Sequence, residues 1–372
     1  MISKTLCLLF SESYSAVTNE LAADRTLATV PFAGRYRLID FVLSSLVKAR
    51  VNNIGILTKE HYGSLVDHVG AGKDWDLDRK NGGLKILTPF ANPGSETTRN
   101  RSKIDALLSC QTYLEESNEE YVILADSNIV MNIDFADLVR YHNDKGADIT
   151  IVYQQRNDAV YNGLVIDQDR DGRVVDAYYA AGQMTDCQYQ VLKIFVFNKE
   201  LLMNLLGRAY TFGWTDFERD FITKNISKLH VYGYEHKGYC AVINTVGDLY
   251  KASMEMLTPA LRKEVFESDT TILTRVKNSP PTLYGFESKV KNSLIADGCT
   301  IDGTVENCVI FRGVTIEKGA VLKDCVIMQN STIHAGAKLE CVITDKDVTV
   351  EAEHVMGGYP TYPFVISKGQ TV

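Results

Sequence analysis

Cys308-Val309-Ile310-Phe311-Arg312-Gly313-Val314-Thr315-Ile316-Glu317-Lys318-Gly319-Ala320-Val321-Leu322-Lys323-Asp324-Cys325-Val326-Ile327 decides the architecture of the C-terminal part of the chain. The triplet Cys-Val-Ile opens and closes this stretch. It returns at Cys341-Val342-Ile343, so the separations are 17 and 16 residues, and Ser293-Leu294-Ile295 reads as an earlier copy. Inside the repeats apolar positions step by six: Ile310, Ile316, Leu322, then Ile327, Ile333, Leu339. Glycines fall between them, as in Lys318-Gly319-Ala320 and Ala335-Gly336-Ala337. A six-residue step taken three times per coil is the signature of a hexapeptide β-helix, whose core is an axial column of branched side chains. An ordinary antiparallel domain does not require the repeated triplet. The reading places a parallel β-helix at 291–372. A connector at 257–290 precedes it, in which Asn278-Ser279-Pro280-Pro281-Thr282 stops any helix.

Upstream, from 1 to 256, the period is different. Apolar runs at Thr5–Phe10, Ile54–Thr58, Tyr121–Ala125, Ile149–Tyr153 and Gln190–Phe197 read as strands. Amphipathic stretches at Asp40–Arg50, Lys103–Leu114, Asp134–His142, Glu200–Leu206 and Asp216–Ile226 read as helices. This alternation predicts an α/β domain with a mainly parallel sheet covered on both faces. Its ligand crevice is expected beyond the carboxyl ends of the strands.

A chain of 372 residues has room for two domains. Its net charge of −8 argues against a nucleic-acid partner held by phosphate neutralisation, and no apolar run is long enough to span a membrane. Met1-Ile2-Ser3-Lys4 runs into the first strand with no signal-peptide pattern, so a cytoplasmic location is expected. The cysteines, Cys7, Cys110, Cys187, Cys240, Cys299, Cys308, Cys325 and Cys341, form no C-x-x-C pair. They read as buried reduced thiols. None of His61, His68, His142, His230, His236, His334 and His354 has metal-ligand spacing.

The first strand runs into Ser11-Glu12-Ser13-Tyr14-Ser15-Ala16, and no glycine occurs between Ser3 and Phe32. A nucleotide-binding α/β domain normally turns here through glycines, because only they let consecutive amides wrap a phosphate. A carboxylate, Glu12, stands where phosphates would lie.

Other blocks carry a clear likeness. Arg25, Val30-Pro31-Phe32-Ala33-Gly34-Arg35-Tyr36-Arg37-Leu38-Ile39-Asp40-Phe41, Ser44-Ser45, Ile54–Thr58 and Gly72-Lys73-Asp74-Trp75-Asp76-Leu77-Asp78 resemble the glucose-1-phosphate adenylyltransferase (ADP-glucose pyrophosphorylase) family. The resemblance covers nearly the whole chain. It implies a Rossmann-like, GT-A-like nucleotidyltransferase domain followed by a left-handed β-helix. The family's functional residues then fail one after another. Its opening loop, Gly-Gly-x-Gly-[Ser/Thr]-Arg-Leu, matches Phe10–Ala16, and the lysine of its Arg-Ala-Lys-Pro matches Leu27. Its strand ending Gly-Asp-His matches Asp126-Ser127-Asn128, which puts Ser127 at a metal aspartate. Its Arg-Asp-Val-Gly-Thr matches Ala241–Thr245, which puts Val242 at the other, and the lysine of its Glu-Lys-Pro falls near Tyr179-Ala180-Ala181. Nucleotidyl transfer depends on charge neutralisation by metal and cations. The pattern therefore resembles the GlgD-type subunit, with no catalytic and no metal residue of its own.

That resemblance implies a regulatory subunit in bacterial glycogen biosynthesis. Its partner would be a GlgC-type catalytic subunit in a hetero-oligomer of tetramer size, or a second copy of the chain. Mg²⁺ and ATP would be used by the catalytic partner, and no cofactor is expected on this chain. The alternative is a weakly active adenylyltransferase using Asp126 after a change of register. An acyltransferase built on the hexapeptide coils would need a catalytic histidine, and only His334 and His354 lie there.

Arg35, Arg37, Lys48 and Arg50 cluster in the best-matched block, and the resemblance places Arg37 in a region that contacts sulfate, phosphate or sugar-phosphate effectors. A solvated basic face suits Lys48 and Arg50 better. For Arg35 and Arg37 both readings stay open. Asp216 matches the sugar-pocket aspartate of the family's His-Asp-Phe-Gly, although a helix N-cap is the plainer role. Trp75 suggests base stacking or a loop anchor.

Overall fold

The structure, a computed structural model, describes residues 2–12, 24–59, 61–88, 102–156, 160–183, 188–266 and 271–372. They fall into two compact units. One takes the described residues of 1–16, 42–127 and 133–238, the other those of 17–41, 128–132 and 239–372.

The first unit is built on a nine-stranded mixed sheet. Thr5–Phe10 lies parallel between Asn53–Leu57 and Tyr121–Asp126, and Gly83–Leu87 extends the parallel edge. Every residue of Thr5–Phe10 is buried. A strand covered on both faces has no polar side to show, so it reads as an unbroken apolar run. Leu6, Leu8 and Phe10 pack with Leu124, Phe195 and Phe197 in the core of this unit. Beyond Tyr121–Asp126 the sheet turns antiparallel: Gln188–Asn198 pairs with it, with Ile149–Arg156 and with Val160–Gln168. Val160–Gln168 and Val174–Gln183 form a hairpin that sequence reading misses, because Asp176 and the alanines of 177–181 weaken its strand pattern.

Two expected helices are altered. Lys103–Leu114 divides at Cys110, which leaves helical geometry at φ −106°, giving Lys103–Ser109 and Gln111–Glu116. Asp216–Ile226 becomes a π turn at Glu218–Ile222 followed by a 3₁₀ turn at Thr223–Asn225. Its buried apolar residues, Phe217, Phe221, Ile222 and Ile226, recur every four to five positions, and the wider turn follows that spacing.

The second unit contains the β-helix. Three five-stranded parallel sheets stack as five coils, beginning at Leu283–Tyr284, so the expected connector at 257–290 contains the first strands as well as the helix Pro259–Phe266. The six-residue column stands as read: Ile310, Ile316, Leu322, Ile327, Ile333 and Leu339 all lie in the inner cluster. The third triplet does not keep its register. Val326 pairs with Ile343, one residue off the Cys-Val-Ile match. Cys341 thus takes the left-handed corner held in earlier coils by Asn292, Asn307 and Asp324. A one-residue slip turns each side chain to the other face. Cys308 and Cys325 point into the coil, whereas Cys341 joins an outer cluster with Val309 and Val326, and buried Thr344 follows Ile327 in the inner column.

That outer cluster also buries Leu27, Phe32, Phe41, Leu249 and Met256 against Phe311 and Ile343. Removing residues 291–372 would expose it. The expected result is aggregate in light scattering. A soluble, monodisperse fragment with unchanged near-ultraviolet dichroism would show that the cluster closes without the coils.

Candidate functional site

The residues at the matched metal positions do not fit Mg²⁺. This cation takes one or two carboxylates with its phosphate ligands. Ser127 is buried, and both its amide (3.1 Å) and its hydroxyl (2.7 Å) donate to the Phe10 carbonyl. In the other unit Val242 sits on a two-stranded ribbon opposite Ile129 and offers no donor atom. The ribbon is clamped by Asn128, whose amide nitrogen donates to the Ile243 carbonyl at 2.9 Å and to Asn244 Oδ1 at 3.0 Å. Among the described residues no three His, Cys, Asp or Glu side chains converge as a metal group. Leu27 is a core residue, 5 % exposed. Of the opening loop, residues 13–16 lie outside the described residues, as does Cys187.

Asp216 behaves as a cap: its Oδ1 accepts from the Arg219 amide at 3.0 Å. Trp75 is fully buried, edge-on to His68, so it is an anchor and presents no face to a base. His142 is buried against Thr150, and burial pulls its pKa down to about 4, which leaves it neutral. Lys48 is exposed at the end of helix Leu38–Lys48, and Arg50 is exposed at φ 62°. Both belong to the first unit, where Arg50 lines a polar cleft with Lys80, Lys85, Glu116 and Glu119.

Arg35 and Arg37 belong to the second unit, and Arg37 stands within a cationic cluster. The hairpin Pro31–Phe32/Tyr36–Arg37 presents it. Ala33 (φ 46°) and Gly34 (φ 82°) make the turn, and it is the left-handed φ of Gly34 that favours glycine, since an added Cβ would meet the Ile310 carbonyl oxygen only at an ordinary contact of 3.5 Å. Tyr36 stacks on Phe266, with centroids 5.0 Å apart. The Arg37 amide donates to buried Asp40 at 3.0 Å, which joins the turn to the helix behind it. Arg35 is exposed beside it.

Five further cations that sequence reading did not single out as site residues, Arg25, Arg275, Lys277, Arg312 and Lys346, come together with Arg37. Arg25, 6 % exposed, is ion-paired through Nη2 to buried Asp345, while its buried Nη1 has no hydrogen-bond partner among the described residues. Next in the chain to Asp345 is Lys346. Burial, then the charges of Arg37, Arg25 and Lys277, pull its pKa down to about 7. Lys277 is lowered in the same way by burial and by Arg312, Arg37 and Arg275. Arg312 is paired to Asp297 at 3.1 Å. An orphaned buried guanidinium nitrogen leaves a donor whose desolvation nothing among the described residues offsets, and the neighbouring cations add to the positive charge there. No local pattern links Asp345-Lys346 to Arg25, because Arg25 and Asp345 lie 320 residues apart in the chain.

The charge state of Lys346 gives a sign. Its folded pKa, about 7, lies below its ordinary 10.5, so unfolding takes up a proton between those values. On this account the unliganded chain gains stability as pH rises through that window. A bound dianion favours the charged lysine and reverses the preference. Sulfate is therefore expected to raise the melting temperature more at pH 6.5 than at pH 9. Equal increments at both values would remove Lys346 from the anion site.

Residues 20–259 match the nucleotidyl transferase family model, and residues 283–361 match the GlmU-like C-terminal hexapeptide model. The chain is 38 % identical to the glycogen biosynthesis protein GlgD of Bacillus subtilis (strain 168), over 99 % of this chain and 96 % of that protein. It is 35 % identical to the GlgD of Geobacillus stearothermophilus, over 87 % and 84 %. It is 33 % identical to the glucose-1-phosphate adenylyltransferase of Thermotoga neapolitana, over 79 % and 70 %. The nucleotidyltransferase sheet, the hexapeptide coils and this similarity along almost the whole length lead to one conclusion: the chain belongs to the nucleotidyl transferase family, in the group that holds the GlgD glycogen biosynthesis proteins and the glucose-1-phosphate adenylyltransferases.

Proposed function

We propose that this chain is a catalytically degenerate, regulatory subunit of glucose-1-phosphate adenylyltransferase in bacterial glycogen biosynthesis. It acts by assembling with a GlgC-type catalytic subunit. The observation that carries the reading is the Ser127 hydroxyl, donated to the Phe10 carbonyl where the reaction needs a metal carboxylate. The alternative, weak activity through Asp126, is disfavoured because that carboxylate is buried and ion-paired to Lys103 at 2.6 Å. The cluster around Arg25, Arg37 and Lys346 supports an effector site for phosphate, sulfate or a sugar phosphate.

The test compares initial rates with ATP, glucose 1-phosphate and Mg²⁺ for this chain, for the catalytic subunit of the same organism, and for their mixture. The chain alone is expected to be inactive. The mixture should form a mixed oligomer by mass and change rate or effector affinity about 5- to 150-fold. Turnover near 1 s⁻¹ by the chain alone, or a mixture that neither assembles nor alters the rate, would overturn the proposal.

A further inference from the structure

We infer that the crevice at the carboxyl ends of the Thr5–Phe10 and Tyr121–Asp126 strands is closed by the chain's own charges: a buried Lys103–Asp126 ion pair, flanked by Lys193 and Glu218, uses the space and polar valences that a charged ligand would need. The inference rests on the reading of this crevice as non-catalytic. It adds that the site is internally occupied, beyond having lost its catalytic groups.

The geometry starts from the strand ends. Phe10 and Asp126 are cross-strand partners at the last ladder position. Lys103 opens the helix Lys103–Ser109, whose start is held by a capping box between Ser102 and Asp105. From there its ammonium reaches Asp126 Oδ1 at 2.6 Å, with side-chain exposures of 8 % and 2 %, and lies 5.1 Å from the centroid of the Phe10 ring. A lysine buried this far persists only when its charge is answered. The carboxylate and the ring face answer it.

Glu218 and Lys193 complete the network. Glu218, 7 % exposed, is turned inward by the π turn and accepts from the Tyr179 hydroxyl. Its carboxyl is pushed up by burial and feels Lys103 and Asp126 in opposite directions. Lys193 is lowered by burial, and the same two groups act on it in the same directions, Asp126 raising its pKa and Lys103 lowering it. Glu218 and Lys193 thus each lie within electrostatic reach of the Lys103–Asp126 pair, which balances one added carboxylate with one added ammonium. Lys193 stands at φ 54° inside the Gln188–Asn198 strand, between the register positions Val191 and Phe195 where the ladder is irregular. A non-glycine residue held there in a strand marks a position over-determined by its surroundings. Asp126 and Glu218 fall on the glycines of the family motifs Gly-Asp-His and His-Asp-Phe-Gly. Carboxylates therefore fill places where glycine would leave space.

The test is a double-mutant cycle on the full-length chain, Lys103→Met, Asp126→Leu and both together, read by urea unfolding. The chain is melted in parallel with Mg²⁺–ATP and with inorganic pyrophosphate. Each single variant leaves an uncompensated buried charge and should raise the unfolding equilibrium constant roughly 10²- to 10³-fold. The double variant should recover to within about 10-fold of the wild type, since a matched apolar pair needs no counter-charge. Neither ligand should give a melting increment that depends on Lys103. A double variant no more stable than the worse single one, soluble or not, overturns the inference. So does a pyrophosphate or ATP increment that Lys103→Met abolishes, which would make the lysine a ligand-binding group. Catalysis by the chain alone would refute the proposed function whatever the cycle shows. An additive cycle would refute the closure and leave Ser127 and Val242 still without carboxylates.

Discussion

Ser127→Asp is expected to destabilise the chain by about 3–5 kcal/mol and to restore no activity. The native hydroxyl is a donor, spent on the Phe10 carbonyl at 2.7 Å. A carboxylate can only accept, so the substitution sets two acceptors against each other at a buried position. The new charge would also adjoin Asp126, whose ion-pair partner among the described residues is Lys103 alone. A loss of this size corresponds to a fall in melting temperature of roughly 10 °C. Adding Val242→Asp would not change the outcome for catalysis. The phosphate-binding lysine of the family falls at Leu27, which is packed in an apolar cluster with Phe32 and Phe41. Turnover of ATP and glucose 1-phosphate should remain at least about 10³-fold below an ordinary kcat of about 10 s⁻¹. A double variant that melts like the wild type and turns over near 1 s⁻¹ in Mg²⁺ would show that the crevice was one or two side chains from activity.

The second large effect concerns the cationic cluster. Arg37→Ala is expected to leave the chain folded, and assembled with the catalytic subunit proposed as its partner, because Arg37 is only half-buried and the bond to Asp40 uses its backbone amide. It should weaken the effector response of the mixed complex by a factor within the 5- to 150-fold span of ordinary allosteric coupling. Arg25→Ala is the poorer probe, since it strands buried Asp345 and costs about 3–5 kcal/mol for that reason alone. Lys346→Met separates ligand holding from scaffolding. Burial and its cationic neighbours already oppose its charge, so removing it should leave stability without anion unchanged or raised near pH 7. The sulfate increment should nevertheless be lost. A variant that melts lower without sulfate yet keeps its increment would make Lys346 structural and place the anion elsewhere.

Local pattern carried much of the architecture. Thr5–Phe10 and Tyr121–Ala125 are legible as strands because burial on both faces leaves an uninterrupted apolar run. The β-helix is legible because its period repeats. Pattern failed where spacing stopped being regular. The Asp216–Ile226 segment has helical polarity, but its four- to five-residue apolar step produces a π turn. That turn is what aims Glu218 inward.

By itself the sequence determined the family, the two periods, and the loss of carboxylates at Ser127 and Val242. These are properties of residue identity at matched positions, and identity does not depend on where the chain goes next. Only the tertiary structure decided that Cys341 stands at a corner facing the outer cluster, since a spacing of 16 against 17 is a matter of register between coils. Only it could bring Arg25 to Asp345 across 320 residues, and Lys103 to Asp126 across 23. Which charges are buried, which are answered and which are left without a partner among the described residues are set by distances of a few ångströms between segments far apart in the chain. Coulomb and desolvation energies depend on those distances, and a linear sequence does not contain them.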